Sequence, residues 1–148
     1  MKPLYKTKIL DIYACDTSKP LNIPYFESGV SAGFPSPAED HMHSKIDLNN
    51  LLIENPSATY YVRVNGDSML GAGIINGDLL IVDRSMEVTN NCIVVAHING
   101  EFTVKRIKKN KNQIFLQAEN TNYKTIEITE GMDFELFGVV IHAIHHFI

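Results

Sequence analysis

An Asn-Gly dipeptide at positions 99 and 100 separates two runs of strand-forming residues, and this pattern constrains the fold more than any other feature. Residues 93–98 precede the dipeptide and residues 101–107 follow it. Both residues of a two-residue hairpin turn need a positive φ, which asparagine and glycine adopt more readily than other residues. The sequence therefore predicts an antiparallel hairpin here.

From residue 59 onward the chain contains further short segments typical of β-strands, separated by frequent turns. Residues 78–83 form an almost continuous apolar run, which is typical of a strand buried on both faces. A short helix is expected at residues 47–53, with Asp47 as its N-cap and Pro56 closing the segment. The other predicted strands are 59–64, 113–118, 125–128 and 134–144. This pattern predicts a mainly β fold.

The composition fits one globular domain with a short arm. The 148 residues are 45% apolar and 20% charged, so a core of useful size can form. The net charge of −4 argues against general nucleic-acid binding, which needs clustered positive charge. The basic stretch from Lys105 to Lys111 is expected to be mostly a solvated strand edge, and no sequence-specific DNA binding is expected.

Cysteine and histidine spacing predicts neither a disulfide scaffold nor a metal site. Two distant cysteines, Cys15 and Cys92, fit a cytoplasmic protein, and neither a secretory signal nor a membrane-spanning segment is expected. The histidines form two small clusters: His41 with His43, and His142 with His145 and His146. Neither cluster has partners at a convincing zinc-site spacing, so no metal and no other cofactor is expected.

Residues 1–45 are predicted to form an arm. Prolines and glycines interrupt this segment, and no helical or strand period is sustained. The apolar segments 10–13 and 23–26 are expected to be too short to build a core, although they could cover another surface. An extended arm of this length can reach a distant site.

Ser68 is the candidate nucleophile, in the sequence Gly66-Asp67-Ser68-Met69 that follows the strand predicted at residues 59–64. A serine in such a turn exposes its hydroxyl beside backbone N–H groups, which can stabilise an oxyanion. The amides of Ser68 and Met69 are the candidates for that oxyanion site. A serine after a strand is also an ordinary turn residue, and as a nucleophile it needs a base.

Lys105 is the candidate base, because a lysine buried among apolar groups loses its charge more easily and can then accept a proton. Strand alternation puts Lys105 on the same face as Thr103 and Ile107, while Arg106 faces the other way. Periodicity alone leaves open whether that face is buried or exposed. None of the six histidines has a recognisable triad context.

Four segments in order resemble the catalytic domain of the LexA/UmuD family of self-cleaving serine–lysine peptidases: residues 66–69, 77–83, 100–105 and 137–142. The separation of 37 residues between Ser68 and Lys105 also resembles that family. The resemblance covers residues 33–148. It implies a compact β-rich catalytic domain with a flexible N-terminal arm, Ser68 as nucleophile and Lys105 as base.

Residues 31–38 resemble the self-cleavage site of UmuD-type proteins, which implies a scissile bond between Ala32 and Gly33. Small residues there let the backbone approach a nucleophile closely. The UmuD pattern often has cysteine where Ala32 stands, whereas LexA-type sites use Ala-Gly. The implied domains are an arm of residues 1–32, removed by self-cleavage, and a peptidase-like β domain of residues 33–148. So short an arm leaves no room for a helix-turn-helix reader, which favours the UmuD branch.

The resemblance also implies partners and a cellular role. It implies a homodimer whose self-cleavage is promoted by a RecA–single-stranded DNA filament. The trimmed form would then serve a Y-family polymerase subunit resembling UmuC in SOS mutagenesis. Two other functions stay open: a catalytically slow polymerase-binding module, and a transcriptional regulator of DNA-damage genes. Steeply salt-dependent duplex binding would favour the regulator.

Overall fold

The computed structural model describes residues 2–26, 32–33 and 43–148. Contacts divide the chain into two units. The first comprises Met1–Cys15 and Asn55–Ile148, and the second comprises Asp16–Glu54. In the described residues, no helix has the length and apolar character needed to cross a membrane.

The described residues form a mainly β structure with one short α-helix. In chain order the strands are β1 (Tyr5–Lys6), β2 (Leu10–Ala14), β3 (Asn22–Phe26), β4 (His43–Asp47), β5 (Thr59–Val64), β6 (Leu79–Asp83), β7 (Ile93–Ile98), β8 (Glu101–Asn110), β9 (Gln113–Gln117), β10 (Ile126–Ile128) and β11 (Phe134–Ile144), and the α-helix is α1 (Leu48–Leu52). The predicted mainly β fold class is confirmed.

The first unit is built on one antiparallel sheet of nine strands. Their spatial order is β1-β2-β5-β6-β11-β7-β8-β9-β10. β11, the last strand in the chain, lies between β6 and β7 and pairs with both. The end of the chain therefore joins the two halves of the sheet. Besides these two pairings, β2 with β5 is the pairing in this sheet between strands that are not consecutive in the chain.

The predicted hairpin is confirmed as β7 and β8. Ile98 pairs with Glu101, and the two turn residues Asn99 and Gly100 have φ values of 48° and 86°. These positive values are the reason that asparagine and glycine occupy the turn. The hairpin carries Lys105 on its second strand, two strands away from the edge of the sheet.

The second unit pairs β3 with β4 and continues into α1. The pairing runs from Asn22 opposite Asp47 to Phe26 opposite His43. Asp47 is the N-cap of α1, as predicted, because its carboxylate accepts a hydrogen bond from the Asn49 N–H at 3.0 Å. The helix ends at Leu52, and Pro56 begins a 3₁₀ turn rather than directly terminating the helix.

The expectation that residues 1–45 contain neither regular strands nor core residues is wrong. β2 pairs with β5 along its whole length, and the side chains of Leu10 and Ile12 are completely buried. The alternation of these two residues with Asp11 is too short to be recognised as a period on its own. The segment forms a strand because β5 supplies its hydrogen-bond partners and an apolar surface.

Two groups of buried apolar side chains stabilise the sheet. The larger contains Leu10, Ile12, Val62, Val64, Met69, Ile74, Leu80, Val82, Val95, Val104 and Phe137. The smaller contains Val94, Ala96, Ile107 and Leu116. Both groups lie in the first unit. Because Met69 and Val104 belong to the larger group, the segment after Ser68 and the strand that carries Lys105 share a common core.

We expect Gly138→Ala to destabilise the fold, because β11 approaches β6 too closely for a Cβ at this position. A Cβ on Gly138 would lie 2.8 Å from Val82 Cγ1 and 3.1 Å from the Asp83 carbonyl oxygen. Overpacking of this kind costs about 1–3 kcal/mol of unfolding free energy. Urea denaturation measures it as a lower midpoint with an unchanged slope. Wild-type stability of Gly138→Ala would show that β6 and β11 are not packed this closely.

Candidate active site

Ser68 lies in a turn between β5 and β6. β5 ends at Val64, and Gly66 has a φ of 116°, in the region that only glycine adopts easily. The Gly66 N–H donates to Asn76 Oδ1 at 2.8 Å, which ties the two ends of the connection together. Ser68 is half-buried, and a 3₁₀ helix of residues Leu70–Ala72 follows it.

The loop of residues 119–123 holds this turn from the other side. The Tyr123 hydroxyl donates to Asp67 Oδ1 at 2.6 Å, and Asn120 Nδ2 donates to the Asp67 carbonyl at 3.0 Å. The Gly71 N–H donates to the Glu119 carbonyl oxygen at 2.7 Å, and a Cβ on Gly71 would lie only 2.7 Å from that oxygen. The residues on both sides of Ser68 are therefore anchored to one loop.

Lys105 projects from β8 to the Ser68 hydroxyl. Its Nζ lies 3.1 Å from Ser68 Oγ, 2.8 Å from Thr103 Oγ1 and 3.1 Å from the Val104 carbonyl oxygen. The contact with Thr103 confirms that these two residues share a face of the strand. Lys105 is only 7% exposed, which decides between the buried and the exposed face that periodicity left open.

Burial lowers the pKa of the Lys105 amine below its ordinary value of 10.5, because the charged form loses its hydration. Within residues 2–26, 32–33 and 43–148, no carboxylate lies within 4.0 Å of Nζ to stabilise the charge. Such an environment favours the neutral amine, which is the form that can accept a proton.

Three polar atoms that can accept a hydrogen bond surround Nζ. A neutral amine has two N–H donors and one lone pair. The Thr103 hydroxyl oxygen and the Val104 carbonyl accept from the two N–H groups. Nζ also donates to Ser68 Oγ at 3.1 Å. Once the amine is neutral, its lone pair can instead accept the Ser68 hydroxyl proton across this contact. The arrangement can remove a proton from Ser68.

The amides of Ser68 and Met69 are available to an incoming oxygen. In the part of the chain that the structure describes, neither N–H donates a hydrogen bond to a protein acceptor. The Met69 carbonyl, in contrast, accepts from the Ala72 and Ile74 amides, so the backbone here is held in place. Rigid, unpaired N–H groups beside a hydroxyl can bind a developing negative charge.

An open cleft of about 420 Å³ adjoins Lys105. Its walls are mainly apolar and come from the β7–β8 hairpin, the N-terminal segment, the 119–123 loop, β10 and the turn after β10. Among the residues lining it are Ile9, Ile98, Phe102, Tyr123, Ile126 and Met132. A cleft with such walls suits an extended peptide segment that carries apolar side chains.

The predicted cleavage-site residues, Ala32 and Gly33, belong to the second unit. Both are exposed, and a Cβ on Gly33 would meet no atom within 4 Å. His41 lies outside the described residues. Groups of three or more potential metal-ligating side chains do not occur in the described ranges.

The basic stretch beginning at Lys105 is less solvated than expected. Lys105 itself is buried, Arg106 pairs with Glu119, and Lys109 Nζ donates to the Val88 carbonyl oxygen at 2.7 Å. Much of this positive charge is therefore buried or engaged in contacts with other groups of the protein.

Sequence reasoning missed the supporting roles of Asn120 and Tyr123. They lie 53 and 56 residues from Asp67 in the chain, and no local pattern connects them. The loop that carries Asn120 and Tyr123 follows β9, and the pairing of β9 with β8 places this loop near the Ser68 turn.

Comparison with known proteins agrees with this geometry. Residues 24–141 match the Peptidase S24-like family. The chain belongs to this family. It is 42% identical to Protein ImpA of Salmonella typhimurium over 123 residues, which cover 82% of this chain and 83% of the relative. It is 37% identical to Protein MucA of Escherichia coli over 137 residues, covering 91% and 93% of the two chains. It is also 39% identical to the LexA repressor of Colwellia psychrerythraea over 118 residues, covering 78% of this chain and 54% of the repressor.

The S24-like family consists of self-cleaving serine peptidases, so the chain is a serine peptidase-type protein that acts on itself. The resemblance to the LexA/UmuD family is thereby confirmed. The relatedness to ImpA, MucA and LexA assigns the protein to the SOS response to DNA damage and to SOS mutagenesis.

We expect the unusual ionisation of Lys105 to appear in the pH dependence of stability. The unfolded chain binds a proton at this position up to about pH 10.5, whereas the folded chain loses it at lower pH. Stability therefore rises with pH between the folded and the unfolded pKa. Urea denaturation of Ser68→Ala, compared with Ser68→Ala/Lys105→Met, should show the lysine-containing chain gaining relative stability in this window. Parallel pH profiles would contradict a lowered pKa of Lys105.

Proposed function

We propose that Ser68 and Lys105 form the catalytic dyad that cuts the bond between Ala32 and Gly33 of the protein's own arm. The observation that carries this proposal is the 3.1 Å contact between the buried Lys105 amine and the Ser68 hydroxyl. A serine hydroxyl is a weak nucleophile unless a base removes its proton. A lysine that is desolvated and faces no described carboxylate is such a base.

The reaction proceeds through an acyl-enzyme. Lys105 accepts the Ser68 proton as Oγ attacks the Ala32 carbonyl carbon, and the amides of Ser68 and Met69 hold the oxyanion. The C–N bond to Gly33 then breaks, and Lys105 returns the proton to the leaving amine. Water, deprotonated by Lys105, hydrolyses the ester, which leaves a carboxylate on Ala32 and restores Ser68.

The arm provides a suitable substrate segment. Ala32 and Gly33 are exposed and small, so they add little steric bulk beside the nucleophile. The following residues in the sequence are Phe34 and Pro35, whose apolar side chains suit the apolar cleft beside Lys105. The arm of the same chain or of a second copy could be cut. Each molecule is cut once, so the reaction works as a switch.

The regulatory role extends the same proposal. A RecA–single-stranded DNA filament promotes the competent docking of the arm, and the protein acts as a homodimer in the cytoplasm. The trimmed protein of residues 33–148 then serves a Y-family polymerase subunit in translesion synthesis. The relatedness to ImpA and MucA supports this role, because both align over most of their length.

We expect the purified protein to cut itself when held at about pH 10, near the ordinary lysine pKa, without any filament. Mass spectrometry should find two fragments that meet between Ala32 and Gly33. Ser68→Ala and Lys105→Ala should both stay intact under the same conditions. The same fragments from either variant would exclude the dyad. An intact wild-type chain that also resists the RecA filament would favour a polymerase-binding module without protease activity.

The pH dependence should identify Lys105 as the base. We expect the cleavage rate to rise about tenfold per pH unit below the Lys105 pKa and to level off above it. Thr103→Val preserves the shape of the side chain but removes an acceptor 2.8 Å from Nζ. It should slow cleavage about tenfold or more on the plateau, because the amine is less well oriented. A pH-independent rate would contradict lysine as the base.

A further inference from the structure

The N-terminal ribbon, residues 4–14 with β1 and β2, is an integral part of the main sheet. β2 pairs with β5 from Leu10 opposite Val64 to Ala14 opposite Tyr60. Leu10 and Ile12 are completely buried in the same core cluster as Val62. The ribbon therefore provides both backbone pairing and core packing to the domain that follows the proposed cleavage site.

Further contacts hold the ribbon beside the Ser68 turn. The Asn65 N–H donates to the Ile9 carbonyl oxygen at 2.6 Å, and the ring of Tyr5 lies 5.6 Å from that of Phe102. The Thr7 hydroxyl and N–H both donate to the Leu10 carbonyl, which closes the turn between β1 and β2. All of these ribbon residues precede Ala32, whereas Asn65 and Phe102 follow it.

A second pairing within the other unit also spans the proposed cut. β3 precedes Ala32 and pairs with β4, which follows Gly33. The side chains of Ile23 and Tyr25 on β3 are 37% and 45% exposed, whereas Leu10 and Ile12 of the ribbon are completely buried. The ribbon is therefore the attachment for which fully buried side chains are seen before the cut.

We propose that the edge of β5 is a strand-docking surface that residues 4–14 still occupy after cleavage, so that fragment 1–32 remains bound non-covalently. This inference rests on the proposed cut between Ala32 and Gly33. Breaking that peptide bond changes none of the contacts between the ribbon and β5. Cleavage and fragment release are then two separate steps, and another strand can reach β5 only by displacing the ribbon.

Retention of the ribbon also preserves the catalytic geometry. Leu10 packs in the cluster that contains Met69, and the Ile9 carbonyl orients Asn65 three residues before Ser68. Ile9 and Lys105 line the same cleft. Loss of the ribbon would uncover the apolar side of β5 and remove one wall of that cleft, so release would end any remaining cleavage capacity.

The test is to cut the protein, return it to neutral pH and ask whether the fragments separate. Size-exclusion chromatography at micromolar concentration, followed by native mass spectrometry, should show one copy of fragment 1–32 with each copy of 33–148. Free fragment 1–32 from the wild-type protein would overturn the inference. In a cut sample, hydrogen exchange of the β5 amides should stay as slow as in the intact chain.

Two variants show whether the buried side chains hold the fragment. Leu10→Ala or Ile12→Ala should increase fragment dissociation at least about 30-fold, because each removes a fully buried apolar side chain. Leu4→Ala is the matched control, since Leu4 is in the same ribbon but 53% exposed. Equal dissociation from all three would show that these contacts do not retain the fragment.

A separate sample keeps this inference independent of the proposed chemistry. In the Ser68→Ala chain, a recognition sequence for a specific protease is inserted between Ala32 and Gly33, and the chain is cut with that protease. Retention in this sample supports the inference even if the wild-type chain never cuts itself. Rapid loss of the fragment overturns the inference and leaves the proposed function unaffected.

Discussion

The contact between the Lys105 amine and the Ser68 hydroxyl sets conditions that the surrounding sheet must satisfy. An amine that is 7% exposed must either be neutral or have a charged partner, since desolvation penalises an isolated charge. The described residues supply acceptors for two N–H groups, from Thr103 and Val104. They place no carboxylate within 4.0 Å of Nζ. Burial without a carboxylate partner among these residues thus lowers the pKa of the amine and favours loss of its proton.

Rigid support of the Ser68 turn is the second condition. The turn is connected to two segments distant in sequence, the ribbon through Ile9 and the 119–123 loop through Asn120 and Tyr123. Asn76 ties the two ends of the β5–β6 connection together. Hydrogen bonds from different directions leave little freedom for the hydroxyl to move away from Nζ. This arrangement fits a protein that cuts itself once, because positioning contributes to the rate without any need for rapid substrate exchange.

The N-terminal segment has two roles in this fold. Its first strands complete the core and one wall of the cleft, while Ala32 and Gly33 are exposed residues of the other unit. The proposed substrate and part of the site's framework therefore belong to one continuous segment. Because core packing does not depend on the intact peptide bond, the chemical step and the loss of the segment are controlled by different interactions.

Local sequence was enough to predict the strands from residue 59 onward, the Asn99-Gly100 turn and the Asp47 cap, because their apolar patterns, turn residues and capping residue can be read from neighbouring positions. Motif resemblance also predicted Ser68 and Lys105 as a pair, and their side chains lie 3.1 Å apart. Tertiary structure alone decided that Lys105 is buried and that Asn120 and Tyr123 support Asp67. It also decided that β2 joins the core. These features depend on contacts between segments far apart in the chain, and a short segment does not show which surface will cover it.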